Sequence, residues 1–352
     1  MESGFAKIGC DRHLDIVMQE IERKHIEHDI RTFFKSRFRT MRENLALRRR
    51  RDVLAEGWPG DDIVDELTKR SVPLFIFAST LCLFIEDARF APSTQLQKVL
   101  EHRESLQLSS TYFLVLETLT FRNSSHGDDI QDVLDSFRKI VGVIIYSSEP
   151  PSILTIAALL DINTDAVEAI LDSLHSVLDV TADQNRPIRP FHLSFIEYLA
   201  QPKKEHAFQI DGKETQTLLA DKCLTLLMQP GVLKQDICDI RNPGTKRSDV
   251  DFDTIGQHIS PVKSYACRHW VHHWAEGFCK LDDNKKIHEF LQGFFFRWLE
   301  AMGWLGGSKL VPALLGRLAQ LDRGVLLTQD ASSRKVRSNR LQNRLRPRLI
   351  EN

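Results

Sequence analysis

Between Ser152 and His192 the spacing of apolar residues changes from helical to alternating, and no other feature constrains the fold of this chain as tightly. Ser152 to Leu160 reads as a short helix. Asn163 stands where a helix N-cap belongs, since its side-chain oxygen can accept from a free amide of the first turn. Val167, Ile170, Leu171, Leu174 and Leu178 come next as a stripe at helical spacing. Val177 to Thr181 and Ile188 to His192 are then two short extended segments around the turn formers Asp183, Gln184 and Asn185. Helix, turn, helix and hairpin in that order predict a winged helix.

Helical periodicity dominates on both sides of it. Residues 1–56 are dense in charge, and the amphipathic signal of Asp29-Ile30 and Phe33-Phe34 is too small to close a core alone, so this segment is expected to lean on the helices after residue 56. Ile63, Leu67, Leu74, Phe77 and Leu81 recur near helical spacing, with Pro73 bending or restarting the element. Ser93 to His102 starts with a candidate serine cap, and Ser109 to Leu119 carries Tyr112, Val115, Leu116 and Leu119 on one side. Further helices are expected over Asp128 to Tyr146, Gln216 to Met228, a long stretch after Pro261 through Trp270 and Trp274, Asn284 to Met302, and Ser308 to Gln320. Arg241 to Asp253 reads as a loop with a Pro243-Gly244 turn. The fold class is therefore mainly all-α: a helical domain, a central winged helix with a small β-hairpin, then a helical array. The expected boundaries are a charged N-terminal segment, remnant or linker, over 1–56, a small helical domain over 57–126, the winged-helix domain over 127–212, a second helical domain over 213–322, and a basic tail over 323–352.

Charge narrows the function. The 47 basic residues nearly cancel the 48 acidic ones, so the molecule as a whole carries no large steering field. The first twenty residues lack the apolar core of a signal peptide, and the most hydrophobic stretch, Val72 to Ile85, is too short for a membrane span and contains Pro73. A cytoplasmic protein without a membrane partner is expected, with its six cysteines, none in a CxxC pair, as reduced thiols. The second helix of the winged motif carries Asp165, Glu168 and Asp172 and has no lysine or arginine between Asn163 and Asp179, so its face would repel phosphates. The tail has the opposite character: Arg334, Lys335, Arg337, Arg340, Arg344, Arg346 and Arg348, without one acidic residue between them. A winged-helix nucleic-acid-binding protein thus stands as the alternative function, decided by whether that tail and the run Arg48 to Arg51 converge with the wing.

The machinery of an enzyme is not legible. A phosphate-binding loop needs GxxxxGK[ST], so that backbone amides surround the phosphates. Gly212-Lys213 is followed by Glu214 and has Ala207 where the first glycine belongs, while Gly306-Gly307-Ser308-Lys309 has the right composition in the wrong order and reads as a turn before a helix. Unaided hydrolysis of ATP or GTP is not expected. His269, His272 and His273, near Cys267 and Cys279, lack the glutamate of HExxH and read as a surface or packed cluster rather than a metal site. There is no GxSxG, and Asp61-Asp62, Asp128-Asp129 and Asp282-Asp283 fit helix starts, where negative charge is favoured. No catalytic residue and no enzymatic activity are expected.

The string Arg189-Pro190-Phe191-His192-Leu193-Ser194-Phe195-Ile196-Glu197-Tyr198-Leu199 resembles the H-x-S-F-x-x-F/Y-L signature that closes the winged helix of fungal NACHT-type STAND NTPases, incompatibility proteins related to animal NLR receptors. Trp58-Pro59-Gly60 followed by Leu74 to Thr80 looks like that family's helical segment just beyond the nucleotide-binding core, and Tyr112 to Leu116 is similar to its next helix, with Ser109-Ser110 in place of an aspartate pair. Leu219-Ala220 with Cys223-Leu224, then Asp236-Ile237-Cys238, then Tyr265-Ala266-Cys267 with Trp270-Val271 look like the helices beyond the winged domain. The resemblance runs in collinear order over about residues 25 to 320. It implies a truncated homologue, the region after the nucleotide-binding core only: the family's Walker A loop, acidic Walker B strand and sensor arginine segment would lie upstream of Met1, and its usual repeat domain is not visible downstream. It further implies that His192 holds the position where the family's histidine approaches the β-phosphate of ADP, with Ser194, Phe195, Tyr198 and Leu199 as motif packing. No cofactor is implied for this chain, and ADP or ATP would enter only if a partner supplied a nucleotide-binding core. The implied function is a non-catalytic regulatory or signal-transmission module that docks on protein, including full-length NACHT-type homologues, rather than on nucleic acid.

Overall fold

The computed structural model describes residues 23–47, 54–101, 108–124, 130–201, 206–242, 244–277 and 284–319. They are predominantly helical. In chain order the elements are α1 (Arg23–Leu47), α2 (Asp61–Ser71), α3 (Phe75–Ile85), α4 (Pro92–Glu101), α5 (Leu108–Ser124), α6 (Ile130–Tyr146), α7 (Ile153–Leu160), α8 (Thr164–Leu171), β1 (Leu178–Asp179), β2 (Arg189–Pro190), α9 (Leu193–Ala200), α10 (Gly212–Met228), α11 (Phe252–His258), α12 (Pro261–Gly277), α13 (Asn284–Gly293) and α14 (Phe295–Trp304), and then a helix over 311–319, here α15. The order α7, α8, hairpin, α9 is the expected winged helix. The chain divides into two compact units: the described parts of Met1–Ile130, Leu171–Val180 and Pro190–Tyr198, and those of Gln131–Ile170, Thr181–Arg189 and Leu199–Asn352.

In the first unit α1 does lean on its neighbours. Ile30, Phe34, Phe38 and Met41 recur at three- and four-residue steps and are buried, with α1 packed on α2 and α3. Phe38 meets the edge of Trp58, their ring centroids 5.3 Å apart. α2 ends where the Val72 amide donates to the Thr68 carbonyl, and α3 restarts beyond Pro73, whose ring and missing N–H end a helical ladder. α4 begins one residue earlier than expected, because Pro92 is pre-set for the first helical position while the amides of Thr94 and Gln95 donate to Ala91. Ser93 is therefore inside the helix rather than its cap. On α5 the predicted face of Tyr112, Val115, Leu116 and Leu119 is buried.

The second unit is built on α10 and α12, which pack along one another, with α7 against both. Gly277 allows the approach: a Cβ there would stand 2.8 Å from the backbone nitrogen of Thr217. α10 starts at Gly212, four residues before the expected Gln216, because Asp211 caps it, its carboxylate accepting from the amides of Lys213 (2.8 Å) and Glu214 (3.0 Å). The amides of Lys213 and Glu214, at the Gly-Lys pair, are thus committed to the helix. Asp211→Ala is expected to lower the unfolding free energy of this unit by about 1 kcal/mol, measured by urea titration; Asp211→Asn should recover most of that loss.

Two further expectations need correction. The hairpin strands are two residues long rather than five, although paired as an antiparallel sheet. Part of the wing's backbone is used elsewhere in the second unit: Ile188 donates to the Pro151 carbonyl at 2.8 Å, and Leu154 donates to that of Gln184 at 3.3 Å. The helix expected over Asn284 to Met302 is two helices, broken at Phe294 (φ −126°, ψ −6°) directly after Gly293, the residue in that stretch least able to hold helical backbone. Gly306 to Lys309 forms the turn that precedes α15, with Gly306 at φ 71°. Arg48 to Arg51, Asp128-Asp129, Pro243, Cys279, Asp282-Asp283 and the tail from 323 lie outside the described residues. No described helix is long and apolar enough to cross a membrane.

Candidate docking site

His192 caps α9 with its ring. The Ser194 amide donates to His192 Nδ1 at 3.1 Å, so this nitrogen is the acceptor and the proton of the neutral ring sits on Nε2. The Ser194 hydroxyl lies 2.6 Å from the same Nδ1 and 2.8 Å from the Tyr112 hydroxyl. With Nδ1 accepting, Ser194 donates to it and receives the hydrogen bond of Tyr112. Burial pushes the Tyr112 phenol above its ordinary value, against the opposing effect of its bond to Ser194. The Tyr112 ring packs edge-on against Phe195 at 5.2 Å and tilted against Tyr198 at 5.7 Å.

The residues chosen from the motif therefore sort by depth. Phe195 and Tyr198 are buried in the first unit. Leu199 is buried in the second, where its carbonyl accepts from Ile210. His192 is exposed, and it stands between Phe191, 48 % exposed, and Leu193, 62 % exposed. The Phe191 amide donates to Val177, which fixes the chain entering α9. Two solvated apolar side chains thus flank the imidazole N–H donor in sequence, and among the described residues His192 Nε2 has no partner.

The Ser194 and His192 contact is a capping turn rather than an acyl-transfer pair. Its imidazole nitrogen already serves a backbone amide, and among the described residues no carboxylate orients the other nitrogen. The motif resemblance marks His192 as a nucleotide-facing position, and its capping role emerges only from the geometry. Tyr112, 82 residues away from Ser194, was read as a packing residue only, and nothing in local sequence marks it as a hydrogen-bond partner.

On α8, Val167 and Ile170 face inward, Asp165 is exposed, and Glu168 accepts from the Gln184 side chain at 2.7 Å. The helix thus presents carboxylates and no cation.

The three histidines of α12 take three different environments. His273 is buried, with Nδ1 2.6 Å from Gln216 Oε1 and Nε2 2.7 Å from the Tyr265 hydroxyl. Nδ1 must donate to the amide oxygen, so Nε2 accepts from Tyr265, which in turn accepts from the Ser148 amide at 3.2 Å. Burial, with the nearby His272 and His269, holds the His273 pKa down at about 3. His269 Nε2 reaches Glu149 at 3.1 Å, and burial lowers its pKa more than that carboxylate raises it. His272 Nδ1 lies 3.3 Å from Arg317. Among the described residues no group of three potential ligands could hold a metal ion.

Compared with protein-family models, with curated proteins and with solved structures, the chain has no match in any of the three.

Proposed function

We propose that this chain is a non-catalytic regulatory module of a STAND or NLR-like switch, one that transmits a nucleotide-dependent state by docking on protein. The observation that carries the reading is the surface around His192: two large apolar side chains left in solvent on either side of an imidazole donor, on a helix start held rigid by Ser194 and Tyr112. Solvated apolar residues adjoining a fixed donor suit a partner that brings an anionic or carbonyl acceptor into an apolar rim. The resemblance of Phe191 to Leu199 to the NACHT-type signature supports a nucleotide-binding core as that partner. Cytoplasmic action and the absence of catalysis belong to the same proposal.

The test is titration of the purified chain with an ADP-loaded NACHT-type nucleotide-binding core, monitored by interferometry. Phe191→Glu with Leu193→Glu removes two apolar contacts worth about 1.5–3 kcal/mol each when fully buried, so affinity should fall by at least about tenfold. His192→Ala should weaken binding to the ADP-loaded core and leave binding to the empty core unchanged. Labelled ADP or ATP should not bind the chain alone. Equal affinities for wild type and the double variant would overturn the docking surface. Sequence-specific duplex binding at physiological salt would favour the winged-helix nucleic-acid reading, which the carboxylates Asp165 and Glu168 on α8 oppose.

A further inference from the structure

In the second unit α12, α13 and α15 enclose a groove of about 590 Å³. Its walls are Trp274, Ile287, Leu291, Leu315 and Leu318, of which Trp274, Ile287 and Leu318 are buried. Ile287 and Leu291 lie one turn apart on α13, and Leu315 and Leu318 one turn apart on α15, so each helix contributes an apolar ridge. That size and lining are those of a small-molecule site, which is concave, mostly apolar and carries a few placed polar groups.

Among the described residues the one fixed charge lining this groove is a cation. Lys285 and His288 are exposed among its lining residues, and among the described residues no carboxylate lines it. The adjacent Lys286 is committed to Asp221 and to the Thr225 hydroxyl, and Arg317 to Glu276. Among the described residues Lys285 has no anionic partner. An apolar trough lined by an ammonium that has no anionic partner among the described residues is complementary to an amphiphile that has a hydrocarbon body and one anionic end.

We propose that this groove binds an unbranched fatty carboxylate, its chain along the walls from Trp274 to Leu318 and its carboxylate at Lys285. The site uses none of the residues of the docking surface and stands or falls separately from it. Chain length sets affinity, since each methylene removed from water contributes about 0.8 kcal/mol, close to a fourfold change in Kd. Lys285 selects the head group.

Calorimetric titration of the full chain with octanoate, decanoate and dodecanoate tests this. Kd should tighten about fourfold per methylene. Lys285→Glu should weaken dodecanoate by at least about tenfold, the scale of a lost charge-assisted hydrogen bond, and leave dodecanol unchanged. Leu315→Asp should abolish binding of both, with circular dichroism showing that the half-buried substitution leaves the helices intact. Absence of saturable dodecanoate binding would overturn the proposal, as it would if another part of the chain or a protein helix occupied the groove. Equal binding of dodecanol and dodecanoate, unaffected by Lys285→Glu, would overturn it as well.

Discussion

Lowering the pH from 6.5 to 4 is expected to remove about 3 kcal/mol of stability from the second unit through His273 alone, given a folded pKa of about 3 against an ordinary value of 6.5. The buried ring is neutral, and both nitrogens are already used, one donating to Gln216 and one accepting from Tyr265. A proton on Nε2 would face the Tyr265 hydroxyl in the wrong sense and place a charge where water cannot reach it. The unfolded chain takes up a proton below pH 6.5, whereas the folded one does so only near pH 3. In that window the unfolded state binds more protons, so stability falls as pH falls, and it is flat above 6.5. Urea unfolding at pH 7, 5.5 and 4, monitored by tryptophan fluorescence, measures the slope, about 1.4 kcal/mol per pH unit over this window. His273→Gln keeps one hydrogen-bonding group and removes the titration. Its unfolding free energy should lose the extra slope above pH 4, and parallel profiles for variant and wild type would show that the ring is solvated.

How much of this could be read from the chain depends on how far apart the interacting residues lie. The buried face of α5 was legible because helical periodicity is a local property, whereas the capping role of His192 was not read although it spans only two residues. The HWVHH string showed that His269 and His273 share a face four residues apart. It could not show which of them is buried. That choice is made by Gln216, 57 residues away on α10, and by the close approach that Gly277 permits between α10 and α12. The same limit explains the hairpin. Alternation predicted extended backbone around Asp183 to Asn185, but whether its amides pair across the hairpin or with Pro151 depends on the entry of α7, which periodicity does not encode. The break between α13 and α14 was readable in principle, since Gly293 stands beside it, but the apolar run Phe294 to Phe296 disguised it as one continuous stripe. Of the proposed groove only the helices that bear it were visible. Its concavity arises from three helices, and no segment contains it.

Trp298→Ala is expected to destabilise the second unit by about 4 kcal/mol, within the 3–5 kcal/mol range for removing a buried tryptophan. Its indole is fully buried on α14, and its N–H donates to the Cys267 carbonyl of α12 at 2.9 Å. Around it stand Trp270 at 5.9 Å, Phe295 at 6.1 Å and Phe290 at 6.4 Å between ring centroids, so one side chain joins α12, α13 and α14. Truncation to alanine leaves a void bordered by aromatic rings on separate helices, which cannot close without moving backbone. Trp298→Phe separates the two contributions. It keeps most of the apolar contact and loses the hydrogen bond, for which about 1 kcal/mol is expected beyond the lost volume. Because Phe290 of this cluster lies on α13, the helix that carries the groove residues Ile287 and Leu291, the alanine variant should also weaken dodecanoate binding, whereas the phenylalanine variant should retain it. A loss below about 1 kcal/mol in Trp298→Ala would mean that α14 is not held to α12 as these distances require.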